Sequence, residues 1–192
     1  MRIILASQSP RRLEILKKHG IDPVVMPVDV DETLPEGINA KDAVMFLALK
    51  KALACEQILL KRGDFDDTVI LTADTVVYKD GLGIMGKPKD HDDAVRMLRA
   101  IRGTVHQVAT GICVLVPGKK NMRVACDITD VYCKPYTDED IEEYITNEPP
   151  YDKAGSYAIQ SSFGQHIDHI IGDYENVVGL PYYRVEEELG YL

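Results

Sequence analysis

The sequence predicts a mixed α/β protein built on one long central sheet. Three observations point there. An apolar run, Ile3-Ile4-Leu5, passes within a few residues into a helix start. Residues 68–78 (TVILTADTVVY) are β-branched and almost continuously apolar, as strands buried on both faces are. Two more strand-like runs, 105–116 and 122–132, flank Pro117-Gly118-Lys119-Lys120 and read as a large hairpin.

The elements follow in order. Residues 2–6 form the first strand. Ser9 is placed to cap a helix over 10–19, with Pro10 at the first position, where no backbone N–H is needed. Leu13 and Leu16 face inward and Gly20 ends the helix. Residues 24–28 are a short strand, and the acidic stretch 29–32 opens a loop containing Pro35 and Gly37. Asn39 caps a long helix to about residue 61, with Val44, Leu47, Ala48 and Ala52 at helical spacing. Gly63 and an acidic turn close it. Asp80-Gly81 signals a hairpin turn after the central strand. Asp90 caps a helix over 91–101, and Thr137 opens another that stops before Pro149-Pro150. A Gly- and Tyr-rich loop, a strand near 166–171 and two short helical pieces within 173–189 complete the chain.

The chain has 192 residues, enough for one sizeable domain or two lobes around a cleft. Its net charge of −9 argues against broad binding to nucleic acid or a membrane surface, but leaves room for a small polyanion in a locally positive cleft. No apolar run is long enough to span a bilayer, and the amino terminus lacks signal-peptide architecture, which predicts a cytoplasmic protein. Cys55, Cys113, Cys126 and Cys133 form no C-x-x-C pair and read as packing thiols rather than a zinc or redox site.

Several residues stand out chemically. Arg11 and Arg12 occupy a first helical turn, where the helix dipole favours acids. Together with free N–H groups and serine hydroxyls they suit a phosphate; two solvated surface arginines are the plainer reading. Asp74 interrupts the apolar central strand. Burial tolerates a carboxylate only when it is paired, hydrogen-bonded or on a metal, so it is either catalytic at a cleft or structurally bonded to a loop. Glu32 lies in the acidic loop, and one of Lys50-Lys51 can face a cleft from the long helix. Gly86-Lys87-Pro88 holds a lysine in a constrained turn, although no P-loop pattern is present. The segment 152–160 (DKAGSYAIQ) is small and polar enough for a ligand to approach closely, and Gln160 offers both donor and acceptor to a base edge. His106 reads as structural, and His166 and His169 lack the spacing of a metal-ligand set.

These motifs, in this order, resemble the Maf family of nucleoside triphosphate pyrophosphatases. The likeness runs end to end: LASQSPRR from residue 5, Asp31-Glu32, Lys51-Ala52, ADT at 73–75, GKP at 86–88, MLRAIRG at 97–103, HQV at 106–108, DKAGSYAIQ at 152–160, and GDYENVVGLP at 172–181. The resemblance implies a single domain over 1–192, with a curved mixed sheet flanked by helices and two lobes around a nucleotide cleft, as in inosine triphosphatases. It implies hydrolysis of a nucleoside triphosphate to the monophosphate and pyrophosphate with a divalent cation, Mg²⁺ or Mn²⁺. By motif, Asp74 corresponds to the catalytic carboxylate. Ser7, Arg12, Lys51 and Lys87 correspond to the substrate-binding set, and Glu32 with Asp74 to the metal site. Arg11, Thr75 and Gln160 correspond to the selectivity positions of the dTTP/UTP branch. The resemblance also raises a different class of function, a nucleotide-binding regulator of septum formation with little catalysis. The hairpin over 105–132 is read as exposed and as a surface for a homodimer.

Overall fold

The computed structural model describes residues 1–192. Seven strands form one mixed sheet. Strand β1 (Arg2–Leu5) runs into helix α1 (Pro10–Lys18), and β2 (Val24–Val25) follows. Helix α2 (Ala40–Arg62) precedes the long strand β3 (Thr68–Lys79) and its short partner β4 (Gly83–Met85). Helix α3 (His91–Ile101), strands β5 (Val105–Val116) and β6 (Asn121–Cys133), and helix α4 (Asp138–Asn147) come next. Two 3₁₀ turns lead to β7 (Ile167–Ile171), α5 (Tyr174–Val178) and α6 (Tyr182–Gly190).

The sheet order is β2-β1-β3-β5-β6-β7, with β4 against β3. One edge of β3 is shared between two partners. β1 pairs with it in parallel from Thr68 to Leu71, and β4 antiparallel from Val77 to Lys79. The stretch between them has no ladder partner on that side, while β5 pairs with Ile70–Tyr78 on the other. The chain therefore leaves a gap at the carboxyl end of β1, the place where α/β sheets open a ligand crevice.

Side chains on β3 alternate between two helical layers. Thr72 donates its hydroxyl proton to the Ala48 carbonyl of α2 at 2.6 Å, and Val76 packs with Val44 of the same helix. Leu71 and Ala73 turn the other way, into a core with Ile15, Leu16, Leu180 and Val185. A further apolar core joins Val77 to α3, α4 and Phe163.

The predicted elements agree with the structure apart from four details. Ser9 stands at the N-cap position of α1 but its hydroxyl makes no cap bond; its amide instead donates to Ser7 Oγ at 3.2 Å. Ile15 joins Leu16 in the buried core, and Leu13 packs against it only partly buried. β2 is only two residues long. Only half of the β5–β6 hairpin is exposed: β5 is buried, ladder-bonded to β3 on one side and β6 on the other, while β6 meets β7 only over Asp130–Cys133 and leaves residues 121–128 as a partly to fully exposed edge.

Gly111 of β5 lies opposite Asp74 in register. A Cβ there would sit 2.5 Å from the backbone of Val44, so the missing side chain is the room in which α2 rests on the sheet. Gly111→Ala is therefore expected to destabilise the protein by about 1–3 kcal/mol or more through overpacking. Urea unfolding measures this, and an unchanged midpoint would contradict the packing argument.

Candidate active site

The gap beside β3 opens into a cleft of about 740 Å³. Its walls come from the turn into α1, the acidic loop, α2, β3, the turn after β4, the 152–160 loop and the end of α5. Every residue singled out from the sequence as a site candidate, from Ser7 to Gln160, lines it.

Asp74 projects toward α2 and is 9% exposed. Lys51 meets it there, with Nζ 2.6 Å from Asp74 Oδ1 and 2.7 Å from Glu32 Oε1. Lys50 turns away and pairs with Asp31, so Lys51 is the cleft-facing member of the pair. Burial disfavours the charged form of Glu32, but the hydrogen bond and charge of Lys51, with Lys87 and Arg12 nearby, outweigh it. They hold the carboxyl below its usual range.

Arg12 enters from the opposite face. Nε donates to the Gly179 carbonyl at 2.8 Å; Nη1 donates to the Ala73 carbonyl at 2.8 Å and to Ser7 Oγ at 3.1 Å; Nη2 donates to Thr75 Oγ1 at 3.1 Å. Burial lowers the pKa of this guanidinium from its usual value, and the Asp74 charge opposes that shift. Ser7 Oγ accepts from both Arg12 and the Ser9 amide. Its own proton is thus left to donate into the cleft.

Arg11 lies on the outer wall, 3.9 Å from Asp152. Lys87 and Gln160 are exposed side chains of the cleft wall. The loop that carries Gln160 is anchored on both sides. Gly155 donates its amide to the Gly86 carbonyl at 3.0 Å, which ties this loop to the lysine turn. Gly155 has φ +67, and a Cβ there would lie 2.5 Å from Val77, so the loop presses on β3 at a place closed to larger residues.

Two features escape sequence reasoning. Tyr157 is held through its hydroxyl, 2.6 Å from Nε2 of buried His106. Thr110 lies behind Thr75, 2.9 Å between hydroxyl oxygens. Both contacts join residues distant in sequence, and only the period-two alternation of β5 hinted that His106 and Thr110 share a face. His166 and His169 do not converge with Glu175, which pairs with Lys18 and His19 instead. No group of three His, Cys, Asp or Glu side chains is placed to hold a metal ion. The four cysteines are free, and burial pushes the Cys113 and Cys133 thiols up to about 12, as for packing residues.

The sequence model of Maf-like proteins matches residues 2–192. The chain belongs to the Maf family. A Maf relative from Caldicellulosiruptor bescii is 40% identical over 99% of this chain and 96% of its own length, and is named dTTP/UTP pyrophosphatase. One from Chromobacterium violaceum with the same name is 44% identical over 94% of this chain and 89% of its own. Among solved structures, the Ham1 protein of Staphylococcus aureus matches at 16% identity with a TM-score of 0.47, over 69% of this chain and 72% of that one. No helix of the chain is long and apolar enough to cross a membrane.

Burial pushes the His106 imidazole down to about 3 from 6.5. The folded protein keeps it neutral while the unfolded chain protonates it near 6.5. Its contribution is therefore complete above pH 6.5 and is lost as pH falls toward 3. In His106→Gln the pH dependence of stability is expected to flatten by about 2 kcal/mol between pH 7 and 5. Denaturant unfolding of both proteins at the two pH values checks this; parallel curves would contradict it.

Proposed function

We propose that this protein hydrolyses nucleoside triphosphates, with dTTP and UTP preferred, to the nucleoside monophosphate and pyrophosphate. The reading is carried by one observation: Asp74 and Glu32 face three cationic side chains, Lys51, Arg12 and Lys87, across one cleft. The full-length Maf relatives named dTTP/UTP pyrophosphatase support it.

In this reading Arg12, Lys51, Lys87 and the free proton of Ser7 bind the triphosphate. Phosphoryl chemistry depends mainly on positioning and on neutralising charge, which these groups supply. Asp74 accepts the proton of a water whose oxygen bonds to the α-phosphorus. The bond from that phosphorus to the bridging oxygen breaks, and the electron pair leaves on pyrophosphate, which the cations stabilise. Arg11 and Gln160 contact the base.

The donor set fits a divalent cation. Glu32 and Asp74 converge within reach of the one Lys51 ammonium, and two carboxylates completed by substrate phosphates are the usual ligands of Mg²⁺. When bound, such an ion, Mg²⁺ or Mn²⁺, would neutralise phosphate charge and acidify water.

Pyrophosphate release from a panel of nucleoside triphosphates tests the activity. Asp74→Asn is expected to stay folded and lose about 10²-fold or more in turnover, the range for a removed general base. Activity within a few-fold of wild type would remove Asp74 from the reaction. Release of orthophosphate would indicate a different bond, and nucleotide binding without turnover would favour a regulator. In the same panel, Arg11→Ala and Gln160→Ala are expected to change the ratio of kcat/KM between pyrimidine and purine nucleotides by about tenfold. Equal losses on every nucleotide would contradict base contact.

A further inference from the structure

We propose that Thr110 is a positioning residue for Arg12, acting through the Thr75 hydroxyl. The proposal rests on the reading that Arg12 binds the triphosphate.

Thr110 is fully buried, and its hydroxyl donates to the Asn176 carbonyl at 3.0 Å. A hydroxyl has one proton, so in the 2.9 Å contact between the two threonines Thr75 is the donor. With its proton turned to Thr110, Thr75 Oγ1 presents a lone pair to Arg12 Nη2 at 3.1 Å. The result is a one-way chain from Arg12 to Thr75, to Thr110, to Asn176 in α5. Thr75 and Thr110 are register partners across β3 and β5, so the sheet itself holds the two hydroxyls together.

This chain decides what Arg12 can offer a ligand. A guanidinium has five N–H groups, and four are engaged by Gly179, Ala73, Ser7 and Thr75. The fifth is on Nη2, the same nitrogen that Thr75 holds. Because the fork is planar and rigid, the Thr75 bond acts with the other three to fix where the one free N–H points, and it is the one made by that same nitrogen. Thr75 also adjoins Asp74 in sequence yet lies on the other face of the strand, so its hydroxyl is committed beneath the arginine.

Thr110→Val keeps the side-chain shape and removes only the hydroxyl. The Asn176 carbonyl still accepts from the Gly179 amide at 3.0 Å, so no buried acceptor is orphaned. The Thr75 proton then loses its partner and its lone pair is no longer held on Nη2. Thr110→Ser restores the hydroxyl, and Thr75→Val breaks the same chain at a less buried position.

The test measures kcat/KM for dTTP and for a purine triphosphate, with inhibition by inorganic pyrophosphate as a base-free probe. Thr110→Val and Thr75→Val are each expected to lose about tenfold or more with weaker pyrophosphate inhibition, and in Thr110→Val the factor is the same on both nucleotides. Thr110→Ser is expected to stay within about threefold of wild type. The double variant Thr75→Val/Thr110→Val is expected to be no worse than either single, because both cut one chain. Thermal melting reports folding; should Thr110→Val melt early, Thr75→Val with Thr110→Ser carries the test. A tenfold change in the dTTP-to-purine ratio in Thr110→Val would overturn the proposal. Loss of activity in Arg12→Ala with full activity in Thr110→Val would overturn it alone. Full activity in Arg12→Ala would overturn the phosphate role of Arg12 and this proposal together.

Discussion

The parting of β1 from β3 creates a problem that Arg12 resolves. The ladder between these strands ends at Leu5 and Leu71, with one more bond from the Ala6 amide to the Leu71 carbonyl. Beyond it the Ala73 carbonyl has no strand to receive it, and a buried carbonyl without a donor is costly. Arg12 supplies the donor at 2.8 Å. A guanidinium withdrawn from water needs acceptors in turn, and three carbonyl or hydroxyl oxygens besides Ala73 provide them. The Gly179 carbonyl is one of these, which joins the C-terminal segment to the N-terminal helix. A single cation thus closes the open edge of the sheet, seats α1 and locates α5.

The two faces of β3 separate the chemistry. Thr72, Asp74 and Val76 look to α2, where Lys51 sits between two carboxylates. Ala73 and Thr75 look to α1 and α5, where Arg12 is held by main-chain oxygens and hydroxyls. Acid–base groups and anion-gripping groups thereby reach one cleft from opposite sides of a single strand. Gly111 makes the first half possible, since only its missing side chain lets α2 approach near Asp74.

The far wall depends on packing more than on charge. Phe163 is surrounded by Tyr136, Tyr144, Tyr157 and His166 at ring-centroid distances of 5.1 to 5.4 Å, as aromatic clusters prefer. This cluster, with the His106 bond to Tyr157, fixes the loop that ends at Gln160. The tie from Gly155 to Gly86 brings the Lys87 turn along with it.

Strand and helix positions were legible in the sequence, because β-branched runs, Asn39, Asp90 and Thr137 caps, and turn glycines are local signals. Asp74 was legible as well, because a carboxylate in an apolar strand is out of place on any reading. The motifs named the cleft residues one by one. What only the tertiary structure decided is which of them touch. The choice of Lys51 over Lys50, the burial of β5 between β3 and β6, and the line from Arg12 through Thr75 to Thr110 join residues tens of positions apart. A hydrogen bond has direction and a strand has two faces, and neither can be read from a linear spacing until the strands are in register. The sequence determined the elements and the inventory of charges; the register of β3 with β1 and β5 decided where those charges meet.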